Sequence, residues 1–125
     1  MDDMAYLRKE KEIVEMDYPL STVWAAIQKA IPDIQWTIEE TKEAEHKVKA
    51  KTKAGFMSYS SLLSIEAVAV AENVTRVTVS AETPTTTLTA IADFGKTRER
   101  IDLFLAALVK QLTPRKKNMS KKKTD

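Results

Sequence analysis

Met16-Asp17-Tyr18-Pro19-Leu20-Ser21-Thr22-Val23-Trp24-Ala25-Ala26-Ile27 is the stretch on which the fold turns, because the period of its apolar residues changes within it. Upstream, from Glu10 to Tyr18, Val14, Met16 and Tyr18 alternate with Ile13, Glu15 and Asp17, the pattern of a half-buried strand. Pro19 breaks that strand. Ser21 is a good N-cap, and Val23, Trp24, Ile27 and Ile31 then recur at helical spacing until Pro32, with Trp24 as the anchor. A strand feeding straight into an amphipathic helix, with further strands to follow, predicts an α+β fold.

Further along, a second strand is expected over 35–41 with Trp36 and Ile38 pointing inward, and a polar loop, 42–45, leads to a third strand over 46–53. That third strand alternates without exception, Val48, Ala50 and Thr52 on one face and Lys47, Lys49, Lys51 and Lys53 on the other, which fixes the side that meets water. The loop 54–60 carries Phe56, Met57 and Tyr59, an apolar load that must cover something. Strands over 61–71 and 74–82 form a hairpin. A three-residue loop pairing Ala71 with Thr75 sets Ala69 against Val77, Ala67 against Val79 and Ile65 against Ala81, all apolar. A two-residue loop would instead set Glu66 against Val79. Thr83 to Ile91 reads as a sixth, edge strand. The longest helix runs from Phe94 or Lys96 to Leu112 with Ile101, Phe104, Leu105, Leu108 and Leu112 on one stripe, and Pro114 follows it. Its run from Leu103 to Val109 is wholly apolar, wider than one packed face requires, so a second surface is expected to cover it.

A length of 125 residues fits one core. The expected division is a flexible N-terminus over 1–8, a single α+β domain over 9–112 and a disordered basic tail over 113–125. The tail holds six Lys or Arg against one Asp, so of the net charge of +2 it contributes +5 and leaves the body at −3. It cannot bury apolar area, and Arg115, Lys116, Lys117, Lys121, Lys122 and Lys123 are the candidates for contact with an anionic partner, nucleic acid or membrane surface. No run approaches the length of a membrane span, residues 1–12 have no signal-peptide pattern, and the absence of cysteine fits a reducing compartment, so a cytoplasmic location is expected.

The chemical motifs are few. His46 is the only histidine and there is no cysteine, so no metal site is expected. Gly95-Lys96-Thr97 resembles the end of a phosphate-binding loop, but the glycine required five positions earlier is Ala90. Asp93-Phe94-Gly95 matches a kinase tripeptide without any accompanying motif; capping of the last helix by Asp93 or Thr97 explains the segment better. Glu39, Glu40, Glu43 and Glu45 read as a solvated face opposite lysines, with Ile38 facing Ala50 and Glu39 facing Lys49. No nucleophile and base pair can be named, so the domain is expected to be non-enzymatic and to use no cofactor.

The residues Met16 to Ile27, with Val23 and Trp24 opening the helix, Trp36 beginning the next strand and Gly95 to Leu112 as a long final helix, resemble the helix-grip superfamily that includes Bet v 1, START and polyketide cyclase/dehydrase-like domains. The likeness covers about residues 8–112 through the order of elements. It implies a curved antiparallel sheet of five to six strands, a short helix after the first strand, a long C-terminal helix packed on the sheet, and an apolar pocket between them for a small molecule or lipid. The residues expected to line it are Trp36, Phe56, Tyr59, Ile65, Phe94, Ile101 and Leu105. Ordinary core packing would use the same side chains. The chain is short for that family, lacks its usual pair of N-terminal helices and holds two glycines, which allows a smaller core. The other expectation is a module that binds a protein, or pairs with itself as a homodimer, through the broad face of the last helix.

Overall fold

The computed structural model of the chain describes residues 5–53, 60–86 and 95–113. Its elements are β1 (Ala5–Met16), α1 (Leu20–Asp33), β2 (Thr37–Lys42), β3 (Lys47–Lys51), β4 (Leu62–Ala71), β5 (Val74–Thr86) and α2 (Lys96–Leu112), with a 3-10 turn, Glu43–Glu45, between β2 and β3. The strands make one open antiparallel sheet in the order β1-β5-β4-β3-β2. This is the expected α+β arrangement with five strands. Thr83 to Thr86, expected in a sixth strand, instead prolong β5, pairing with the first residues of β1. Residues 87–91 of that expectation lie outside the described residues. β1 likewise starts at Ala5, so residues 5–8 belong to the sheet rather than to the loose segment expected over 1–8.

Helix α1 starts one residue before the expected cap. Pro19, in extended geometry, is the N-cap, and its carbonyl accepts the amides of Thr22 and Val23 at 3.0 and 3.1 Å; Ser21 lies inside the helix and makes no cap. At the other end Pro32 falls within the last turn, and the amides of Ile34, Gln35 and Trp36 bond back to carbonyls of Ala30, Ile31 and Pro32. Val23, Ile27, Ala30 and Ile31 are completely buried, as their 3.6-residue period requires.

In the β4–β5 hairpin the inner face has the expected parity but a different register. Ala71 pairs with Val74 across a two-residue turn, and a bulge between Ala69 and Ala71 then sets Ala67 opposite Val77, Ile65 opposite Val79 and Leu63 opposite Ala81. The bulge absorbs one residue, so Glu66 never meets Val79 and the short turn is allowed. Ala69, expected inside, is exposed beside the bulge, and Leu63, on the same face as Ile65 and Ala67, is buried with them. A second bulge in β2, between Ile38 and Glu40, makes Glu40 rather than Glu39 the neighbour of Lys49, with 3.9 Å between charged atoms. Every residue of β2 is exposed, Ile38 included, as befits an edge strand. The lysine alternation of β3 is as expected: Val48 and Ala50 are buried, and Lys47, Lys49 and Lys51 are exposed.

Helix α2 rests mainly on α1, β1 and β5. Gly95 is its N-cap at φ 81°, a left-handed backbone that only glycine adopts without strain; Thr97 lies inside the helix and does not cap it, and Asp93 lies outside the described residues. Arg98 ties the helix to β1, its guanidinium 2.6 Å from Glu12 and 3.4 Å from Asp102. That hydrogen bond with Glu12 raises the Arg98 pKa above its ordinary value. No helix among the described residues is long and apolar enough to cross a membrane.

Candidate functional site

Elements β3, β4, β5 and α2 bring a polar cluster into the core at the end of the sheet where α2 begins. Ser61 precedes β4, Thr83 lies late in β5 and Thr97 in the first turn of α2, and all three are buried. Thr83 Oγ1 is 2.8 Å from Thr97 Oγ1, and Ser61 Oγ is hydrogen-bonded to Thr83 Oγ1. Arg100, one turn into α2, donates from Nη1 to Ser61 Oγ at 2.5 Å. Thr52, also buried, accepts the Ser61 amide on its Oγ1 at 2.9 Å, and its own amide donates to the Ser61 carbonyl at 3.0 Å. The guanidinium can only donate, and its charge favours hydroxyls that each accept on its side and donate away from it, from Ser61 to Thr83 to Thr97.

An aromatic pair shares this end. Trp36, just ahead of β2 and 8% exposed, stacks on the fully buried Phe104 of α2 with ring centroids 6.5 Å apart. Phe104 follows Arg100 by four residues, so the guanidinium and the ring lie on one face of the helix about 6 Å apart along its axis. Of the residues expected to line a pocket, Trp36, Ile65 and Ile101 are buried and Leu105 is half-buried against the same core. Phe56, Tyr59 and Phe94 lie outside the described residues, as do the tail residues Arg115 to Lys123. The polar cluster escaped the sequence reading, in which Thr83 appeared only as part of a threonine-rich strand and Thr97 only as a cap; the one available signal was Thr52 falling on the buried face of β3.

Among the described residues, grooves of about 330 and 390 Å³ open on the sheet, one among Lys47, Lys49, Ser64 and Glu66, the other among Lys51, Leu62 and Glu82, where Ser61 of the cluster also lines it. Neither is where a pocket was expected. At the opposite end, Trp24 donates its indole N–H to Glu43 at 2.7 Å, and His46 meets its ring edge-on at 5.3 Å. On α2, Leu103 and Val109 are about half exposed, roughly 120° apart around the axis, with the exposed Ala106 between them.

No family model matches the sequence, and neither does any curated protein. The structure is similar to that of norcoclaurine synthase from Thalictrum flavum in complex with dopamine and hydroxybenzaldehyde, at 10% identity and TM-score 0.66, covering 89% of each chain. The chain has the helix-grip fold. The same fold appears in the Zhui aromatase/cyclase from Streptomyces, at 11% identity and TM-score 0.65 over 86% of this chain and 95% of that one. It appears again in Ara h 8.0201, at 12% identity and TM-score 0.62 over 86% and 99%. At such identities the likeness is one of fold alone. It nevertheless overturns the expectation of a non-enzyme: a synthase and an aromatase/cyclase share this helix-grip scaffold, so the lack of a recognisable nucleophile and base pair excludes nothing.

Proposed function

We propose that this chain binds a small, largely apolar molecule between the inner face of the sheet and α2, at the end where α2 begins. The observation that carries this reading is the polar cluster itself. A core of this size would be at least as stable with apolar groups in place of Ser61, Thr83, Thr97 and the Arg100 contact, since buried polar networks add little net stability. A few convergent polar groups beside aromatic side chains are, by contrast, the composition of a ligand site. Trp36, Ile65, Ile101 and Leu105 supply the apolar lining, and the partial exposure of Arg100 marks the side from which a ligand is reached. The helix-grip neighbour that holds dopamine and hydroxybenzaldehyde supports the same class of ligand.

Native mass spectrometry of freshly purified protein, compared with the denatured sample, tests this directly, together with titration by the neutral fluorescent probe phenylnaphthylamine. Co-purifying mass lost on denaturation, or saturable probe binding at one site per chain that Leu105→Trp blocks, is the expected result. A bare chain that leaves the probe dark would overturn the reading.

A further inference from the structure

We infer that the outward face of the sheet is a docking surface for an anionic lipid bilayer. The strand registers lay this face out in rows running from β1 across β5 and β4 to β3. One row reads Lys11, Ser80, Ser64, Lys49, and the next Lys9, Glu82, Leu62, Lys51. On the other side of the first lies Ile13, Thr78, Glu66, Lys47. Lysines therefore stand on both flanks, about 14 Å apart by strand spacing. Between them Ser64 and Ser80, with Thr78, help to line the groove of about 330 Å³. Short hydroxyl side chains between long cationic ones are donors of the kind that phosphate oxygens take.

Two further observations separate this face from a merely solvated one. With Arg76 on β5 and Lys42 on β2, the five lysines of these rows make seven cations against four carboxylates, Glu15, Glu40, Glu66 and Glu82. The face is thus +3 within a body, residues 1–112, that sums to −3, and such segregation gives it a field that evenly mixed charge would not. The same face also leaves Ile13, Leu62 and Val68 exposed by 53, 37 and 43%. A nucleic-acid backbone would satisfy the cations but has no use for the aliphatic side chains, and these rows hold no aromatic ring on which a base would stack. A bilayer interface takes both: lysines reach the headgroups while their stems and the aliphatic side chains enter the apolar boundary. Helices α1 and α2 pack on the other face of the sheet, so docking leaves the ligand-binding side untouched.

The test is co-sedimentation of the full-length chain with phosphatidylcholine vesicles, with and without phosphatidylglycerol. Binding should require the anionic lipid and weaken as salt is raised. Lys11→Glu together with Lys49→Glu, which reverses both flanks of the groove, should lower the affinity at least about tenfold. Lys29→Glu together with Lys110→Glu changes the net charge equally but on exposed helix positions, and should stay within about twofold of the parent. Ile13→Ser with Val68→Ser should weaken binding several-fold and leave its salt dependence as it was. An equal loss in the two charge variants would assign the attraction to net charge or to the basic tail, and would overturn the role of this face. Full retention in the aliphatic variant, or capture of single-stranded RNA with no capture of anionic vesicles, would overturn the bilayer as its partner.

Discussion

Trp24 and Trp36 close opposite ends of one core, and the two ends are built differently. Trp24 is buried among apolar neighbours of α1, and its one polar atom reaches outward to Glu43 at the rim, where water already is. Around Trp36 the arrangement is reversed: the ring pair with Phe104 faces the core, and near it the chain buries Ser61, Thr83 and Thr97 behind Arg100. Inside an apolar core each hydroxyl must find a partner or cost about 1–3 kcal/mol. An end stabilised by burial alone has no use for such groups. The contrast separates a part of the molecule that holds the fold from a part whose composition is explained by something it receives.

The largest expected effect belongs to the Trp24 end. Ile27 is wholly buried on the face of α1 that packs into the core, so Ile27→Ala should cost about 2–5 kcal/mol in urea denaturation, with the spread set by how far the cavity collapses. A loss below about 1 kcal/mol would mean that this end is not the stabilising one, and the contrast would fail at its stronger side.

At the Trp36 end the informative quantity is coupling rather than loss. Thr83→Val removes the middle hydroxyl and takes one hydrogen bond from each of its neighbours; Thr97→Val takes one from Thr83. Each should cost about 1–3 kcal/mol, and the double variant should cost less than the sum by about 0.5–3 kcal/mol, because the hydrogen bond that the two share is lost only once. Strict additivity in the denaturation cycle would dissolve the cluster into independent side chains. Gly95, from which α2 and with it Thr97 and Arg100 are launched, gives a smaller effect of another origin. A Cβ there would touch nothing within 4 Å, so Gly95→Ala should cost only the strain of its left-handed backbone, about 1–2 kcal/mol, and Gly95→Asn should cost less than Gly95→Ala. Equal costs for the two substitutions would point to a steric cause instead.

The Trp24 end was largely legible in the sequence because one force wrote it: Val23, Trp24, Ile27 and Ile31 carry a helical period that burial alone requires. The alternation in β3 was legible for the same reason, and with the long final helix these elements were enough to suggest the helix-grip fold. What was lost were features without a periodic signature. The bulges in β4 and β2 shift register without any glycine or proline to announce them, and with them Ala69 lies outside and Lys49 faces Glu40 instead of Glu39. The polar cluster joins residues from the ends of three strands and a helix, far apart along the chain, and hydroxyl side chains read alone look like turn or cap residues. A sequence displays the pattern of burial far better than the pairing of buried polar atoms.

The smallest effect is expected at the rim of the Trp24 end, and it sharpens the contrast most cheaply. Glu43→Gln keeps an oxygen in reach of the indole N–H, which donates at 2.7 Å in the parent, but removes the charge. Glu43 is exposed, so water competes for the same contact and the loss should stay below about 1 kcal/mol. Because the contact is screened, that loss should shrink further in high salt. The coupling between Thr83 and Thr97, buried and formally neutral, should hardly respond to salt. Two polar contacts in one small protein would then differ in both size and salt response for a single reason, their access to water. If Glu43→Gln instead cost as much as Thr83→Val and held that cost in high salt, the rim contact at Trp24 would behave as a buried one, and the two ends would no longer be distinguished by where they keep their polar groups.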